Sequence, residues 1–158
     1  MKTGDMQIQF KSLEMAVDQK AEMLERSRWG RSLTWATIVK VARYMGAYRV
    51  AAGATVFCQG DRSQFLMVIM EGEVAIFKDS GKGKEHQIAT VGANRPLGEM
   101  GLIDRQARSA TVRATKDCVA LVLTSRAFDE MREKVPGVWG EIVLKMAIGI
   151  SQKLRSTS

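Results

Sequence analysis

The sequence predicts an α+β protein: an antiparallel β-sandwich or barrel of jelly-roll kind, flanked by N-terminal and C-terminal helices. Two observations carry this. Between Tyr48 and Phe77, short runs rich in β-branched and aromatic residues follow one another, with glycine-bearing turns between them. On either side of that region the apolar residues change to a spacing of three and four, which is helical. A chain of 158 residues suits one domain with a modest extension. The division expected is a helical extension over 1–31 and the main domain over 32–158.

Residues 5–28 are expected to form an amphipathic helix, because Phe10, Leu13, Val17 and Leu24 share a face with Met6 one turn earlier. Lys20 interrupts the seam, so a long coiled coil is not expected. A second helix is expected from Leu33 to Met45, capped from Ser32 and ended by Gly46. The strand candidates are Tyr48-Arg49-Val50, Thr55-Val56-Phe57-Cys58, Phe65–Met70 and Glu73–Phe77. Ala52-Gly53, Gly60-Asp61 and Glu71-Gly72 separate them. Lys78–Lys84 reads as a hairpin tip with Gln87–Val91 as its return strand, and a last strand is expected over Cys118–Leu123. Thr124 or Ser125 is placed to cap a helix from Arg126 to Glu133. Val135-Pro136-Gly137 breaks that helix, and a final one runs from Val138 to Arg155 with Trp139, Ile142, Val143, Met146, Ile150 and Leu154 along one stripe.

Composition narrows the function. Hydrophobic residues make up 46% and charged residues 26%, an ordinary balance for a globular protein. No apolar run approaches the length of a membrane span and no leader pattern opens the chain, so a cytosolic protein is expected. Cys58 and Cys118 lie apart in apolar runs and read as reduced packing residues, and with one histidine they build no metal site. His86 reads as a solvated turn residue. The formal charge of +7 is spread along the chain and reads as a basic bias of the surface. No G-x-S-x-G, H-E-x-x-H, P-loop or catalytic carboxylate pair is present, which speaks against an enzyme.

The informative stretch is Pro96–Ala114, PLGEMGLIDRQARSATVRA. Gly98-Glu99-Met100-Gly101-Leu102 opens a short helical turn whose first backbone N–H groups are free for an anion. Gly98 and Met100 would serve through their backbones, so their side chains carry little information. Arg108 brings a forked donor matched to phosphate oxygens. Its neighbours Ala110 and Val112 indicate a buried strand, where an unpaired guanidinium is expensive. An anionic ligand accounts for Arg108 better than an ion pair with Asp104 or Asp117. Glu99 cannot serve a phosphate, but it suits hydroxyls beside one, as on a ribose. Ser109 offers one more hydroxyl.

The run G-E-M-G-L-I, with Arg-Ser-Ala-Thr nine positions after the glutamate, resembles the phosphate-binding cassette of the cyclic nucleotide-binding domain. Catabolite activators and regulatory subunits of cyclic-nucleotide-dependent kinases carry that domain. The resemblance extends over about Thr34 to Arg155. It implies a β-roll with Gly53, Gly60 and Gly72 at turns. It also implies cyclic AMP or cyclic GMP as ligand, without a further cofactor, held by Gly98, Glu99, Met100, Arg108 and Ser109. Met67, Val68 and Val91 are candidates for the purine side; Trp139, Met146 and Leu154 are candidates for a lid on the last helix. Leu102 and Ile103 are expected to pack and to couple the cassette to that helix.

The function expected is a regulatory sensor of cyclic AMP or cyclic GMP that signals through movement of the C-terminal helix. Its partner would be an effector protein or a second copy, joined through the N-terminal or C-terminal helices. One alternative is a cyclic-nucleotide-responsive transcription regulator lacking its DNA-binding part; DNA binding itself is not expected. The other is an interaction module with a degenerate pocket.

Overall fold

The computed structural model describes residues 10–157. Among the described residues, nine strands form two antiparallel sheets. In chain order they are β1 (Phe10–Leu13), β2 (Gly46–Val50), β3 (Thr55–Phe57), β4 (Phe65–Glu71), β5 (Val74–Asp79), β6 (Glu85–Val91), β7 (Pro96–Leu97), β8 (Thr111–Ala114) and β9 (Cys118–Thr124). One sheet has the order β1-β2-β9-β4-β7 and the other β3-β8-β5-β6. The helices are α1 (Val17–Arg26), α2 (Trp35–Ala42), α3 (Glu99–Asp104), α4 (Ser125–Lys134) and α5 (Pro136–Thr157). This is the expected jelly-roll-like sandwich with helices at both ends.

The five-stranded sheet is buried on both faces, which is why β4 and β9 read as continuous apolar runs. Phe65, Met67 and Ile69 of β4 pack between the sheets with Val56, Val112 and Val122. Leu66 and Val68, pointing the other way by the period of two, meet Leu24, Ile38, Phe128 and Ile142 from the helices. The four-stranded sheet faces the first only on its inner side, and β6 is exposed along nearly its whole length.

The N-terminal reading needs correction. Residues 10–13, expected to be helical, form a strand paired to β2 with Phe10 opposite Val50 and Leu13 opposite Ala47. Phe10 is buried between the sheets, its ring edge-on to Phe65 at 5.8 Å between centroids. The helix proper begins only at Val17, and Met6 lies outside the described residues. The second helix also starts later than expected, with the Thr34 hydroxyl, not that of Ser32, accepting from the Thr37 N–H. Thr124 caps α4 as anticipated.

Two further expectations differ. Cys118 is buried, and burial pushes its thiol pKa up. Cys58 is exposed, because β3 ends at Phe57 and Cys58 falls in the following turn, its N–H donated to Asp61 Oδ2. Ile103 is 44% exposed, unlike its fully packed neighbour Leu102. The three turn glycines 53, 60 and 72 all have positive φ. At Gly72 there is a second constraint, since a Cβ would lie 2.4 Å from the Asp117 carbonyl oxygen. No described helix is long and apolar enough to cross a membrane.

Candidate functional site

The short helix α3 sits over the end of β4, and the chain then loops back through Arg108 and Ser109 into β8. Gly98 makes this return possible. It adopts φ 86°, and a Cβ there would meet the Phe65 carbonyl oxygen at 2.5 Å and an Arg108 guanidinium nitrogen at 2.8 Å. The turn carrying Glu99 is therefore pressed directly against Arg108. Together they border a cavity of about 360 Å³ whose lining includes Gly98, Glu99, Met100, Arg108 and Ser109.

Arg108 is 7% exposed. Its Nη2 donates to the Phe65 carbonyl at 3.0 Å and Nη1 to that of Gly98 at 3.4 Å, while Nε is buried without a partner among the described residues. The guanidinium lies over the Phe57 ring, 4.0 Å from its centroid, and 4.8 Å from that of Phe65. Burial lowers its pKa to about 10, against an opposing effect from Asp61. The group stays charged at neutral pH, yet its bonds go to carbonyls and not to a carboxylate. A cation so placed is suited to an anion entering from the cavity.

Glu99 is 5% exposed. Its Oε1 accepts from Lys153 Nζ at 2.7 Å, and its Oε2 is buried without a partner among the described residues. Ser109 is exposed at the cavity, and the Met100 side chain is 57% exposed at its rim. Val91 and Ile88 supply apolar lining from β6, with Ile76 beside them from β5.

The lid and purine candidates divide differently from the expectation. Val91 lines the cavity; Met67 and Val68 do not, because both are completely buried in the two cores on either side of β4. Trp139 and Met146 also lie away from it. Met146 is 1% exposed in the helix-side core, and Trp139 packs on Phe128 at 5.6 Å between ring centroids. The stripe they share with Ile142 is the face by which α5 holds to the sheet. Leu154 is 65% exposed and is not part of the lining.

Several cavity residues, Ile76 and Ile88 among them, escaped the sequence reading, and three of these carry polar or cation contacts. Lys153 carried no signal beyond a basic residue near a helix end. Phe57 read only as a strand residue. Gln64 is 5% exposed, and its Nε2 donates to the Gln106 carbonyl across the cassette loop. Its signal was a polar residue directly ahead of the apolar run of β4. A Cβ at Gly101 would overlap the Gln64 amide, so a larger residue there would require Gln64 to move.

The sandwich, the pressed glycine turn and the returning arginine define a known class. The sequence profile of the cyclic nucleotide-binding domain matches residues 48–135, and the chain belongs to that family. The chain is 25% identical over 130 residues to the cAMP-activated global transcriptional regulator of Escherichia coli, covering 82% of this chain and 60% of that protein. It is 36% identical over 81 residues to an uncharacterized ABC transporter ATP-binding protein of Mycobacterium tuberculosis, covering 51% of this chain and 24% of that protein. The chain thus spans between about a quarter and three-fifths of these relatives. In three dimensions it resembles a cyclic nucleotide-binding domain from Methylobacillus flagellatus with a TM-score of 0.81, covering 96% of this chain and 86% of that one at 23% identity.

Proposed function

We infer that the chain is a sensor that binds a 3′,5′-cyclic purine nucleotide, cyclic AMP or cyclic GMP, in this cavity and does not cleave it. The observation that carries the reading is the pair formed by Arg108 and Glu99. Arg108, whose buried guanidinium bonds only carbonyls among the described residues, and Glu99, whose Oε2 is buried without a partner among them, both line the same cavity. A ligand satisfying both must present an anion beside a hydroxyl, as a cyclic phosphate fused to a ribose does. The phosphate would dock on Arg108 and the backbone of Gly98 to Met100, with Ser109 adding a hydroxyl, and the 2′-hydroxyl would meet Glu99. Apolar Val91 and Ile88 would lie against the purine. The reading of binding without cleavage rests on the sequence, in which no G-x-S-x-G, H-E-x-x-H, P-loop or catalytic carboxylate pair occurs.

The signal would leave through α5. Leu144 and Ile148 on its outer face are 62% and 49% exposed, which supports an effector or a second copy as the partner there. Isothermal titration with cyclic AMP, cyclic GMP, cyclic di-GMP and 5′-AMP tests the ligand class. One-to-one binding of a 3′,5′-cyclic mononucleotide, in clear preference to 5′-AMP, is the expected result; preference for 5′-AMP contradicts it.

A further inference from the structure

Lys153 belongs to α5, whereas the carboxylate it meets belongs to α3. Its side chain is 67% exposed, but Nζ reaches inward to Glu99 Oε1 at 2.7 Å. One oxygen of Glu99 is thereby occupied, and the other, Oε2, remains buried and unpartnered among the described residues. Buried polar atoms are nearly always hydrogen-bonded, so Oε2 marks the place of an expected donor. Among the described residues, three charged groups line the cavity with this carboxylate. Lys153 approaches from α5, Arg108 from the chain entering β8, and Asp104 stands at the far end of α3 itself. The part of β4 beneath α3 supplies only the apolar run Phe65–Met70.

We propose that Lys153 is a positioning residue for ribose recognition: it fixes Glu99 through Oε1 so that Oε2 is left to accept the ligand's 2′-hydroxyl. The proposal rests on the cyclic-nucleotide reading and deepens it. An opposite arrangement would make Lys153 an internal competitor that the hydroxyl must displace. The unpartnered Oε2 favours positioning, because the hydroxyl finds an acceptor without breaking the Lys153 contact. Recognition of the ribose then depends on the end of α5, although nothing on α5 need touch the base.

Titration of wild type, Lys153→Met and Lys153→Arg with cyclic AMP, cyclic GMP and their 2′-deoxy forms decides the matter. Methionine keeps the length of the stem, and the exposed position makes the substitution safe for folding, which a thermal melt verifies. Loss of an oriented charged acceptor predicts that Lys153→Met weakens the ribose ligand about five- to tenfold. The 2′-deoxy ligand should bind Lys153→Met as it binds wild type, and Lys153→Arg should restore the ribose preference. Equal weakening of both ligands, an unchanged ribose preference, or tighter binding by Lys153→Met overturns the proposal alone. Wild type that binds none of the four ligands overturns both this proposal and the reading beneath it.

Discussion

At Glu99 and Arg108 the physical demands are unlike, and the substitutions should separate them. Glu99 is a poor neighbour for a phosphate and a good acceptor for a hydroxyl. Wild type should therefore bind a 2′-deoxy cyclic nucleotide more weakly than its ribose parent, and Glu99→Ala should abolish the difference, as competition titration would measure. If ribose and deoxy ligands bind wild type alike, Glu99 is only a helix-end carboxylate. Arg108 responds to pH in a defined way. Its pKa of about 10 lies below the usual arginine value because burial disfavours the charge. The folded state therefore sheds this proton before the unfolded state does, so Arg108 makes stability rise as pH climbs through the alkaline range. Around neutrality it remains protonated, and ligand affinity measured across the neutral range should be flat. An arginine with these surroundings was legible from sequence, because Arg-Ser-Ala-Thr runs into a strand whose neighbours are apolar. The phenylalanines beneath it were not, since a ring in a strand looks the same whether it faces a core or a cation.

Among the elements, α5 departs most from what its sequence implied. Periodicity revealed the stripe of Trp139, Ile142 and Met146 but not its direction, because an apolar face suits a lid and a core equally well. In this structure the stripe packs against the helix-side core, which holds α5 there over Ile142 and Met146. From Ala147 onward no residue of the described helix is buried, and this half, which carries Lys153, is where we expect the response to ligand. We expect ligand-induced hydrogen-exchange protection at 150–157, with 138–146 protected throughout; new protection confined to 138–146 would contradict this division. Gly149 lies inside the helix with open space where a Cβ would project. Gly149→Ala should therefore stabilise the protein by about 0.5–1 kcal/mol in chemical denaturation. At the other end, Phe10 and Leu13 have a spacing that suits a helix face, and the strand partner of this segment is some forty residues away in sequence. Local pattern alone could not choose the sheet. Burial of Phe10 predicts that Phe10→Ala costs about 3–5 kcal/mol of stability, far more than an exposed helical position would.

In the whole molecule the five-stranded sheet meets the helices on one face and the second sheet on the other. β4 carries this arrangement: Phe65 supports Arg108 through its carbonyl, while Leu66 and Val68 on the opposite face hold the helices. The sandwich was readable because its strands are short, apolar and punctuated by glycine turns. The link from cassette to last helix was readable only in part: Leu102, expected to couple the two, lies in the helix-side core with Ile142 and Met146, whereas the contact of Lys153 with Glu99 across 54 residues carried no sequence signal. The central claim is that an anion and a hydroxyl are recognised together by this cavity, with Arg108 taking the anion. It is tested most directly by titrating cyclic AMP and cyclic GMP into wild type, Arg108→Ala and Arg105→Ala, each shown by thermal melting to be folded. Arg105 is a fair control, since its guanidinium pairs with Asp129 outside the cavity. Charge-assisted hydrogen bonds contribute about 1.5–3 kcal/mol each, so Arg108→Ala should lose tenfold or more in affinity while Arg105→Ala stays near wild type. Equal affinities for wild type and Arg108→Ala would contradict the account.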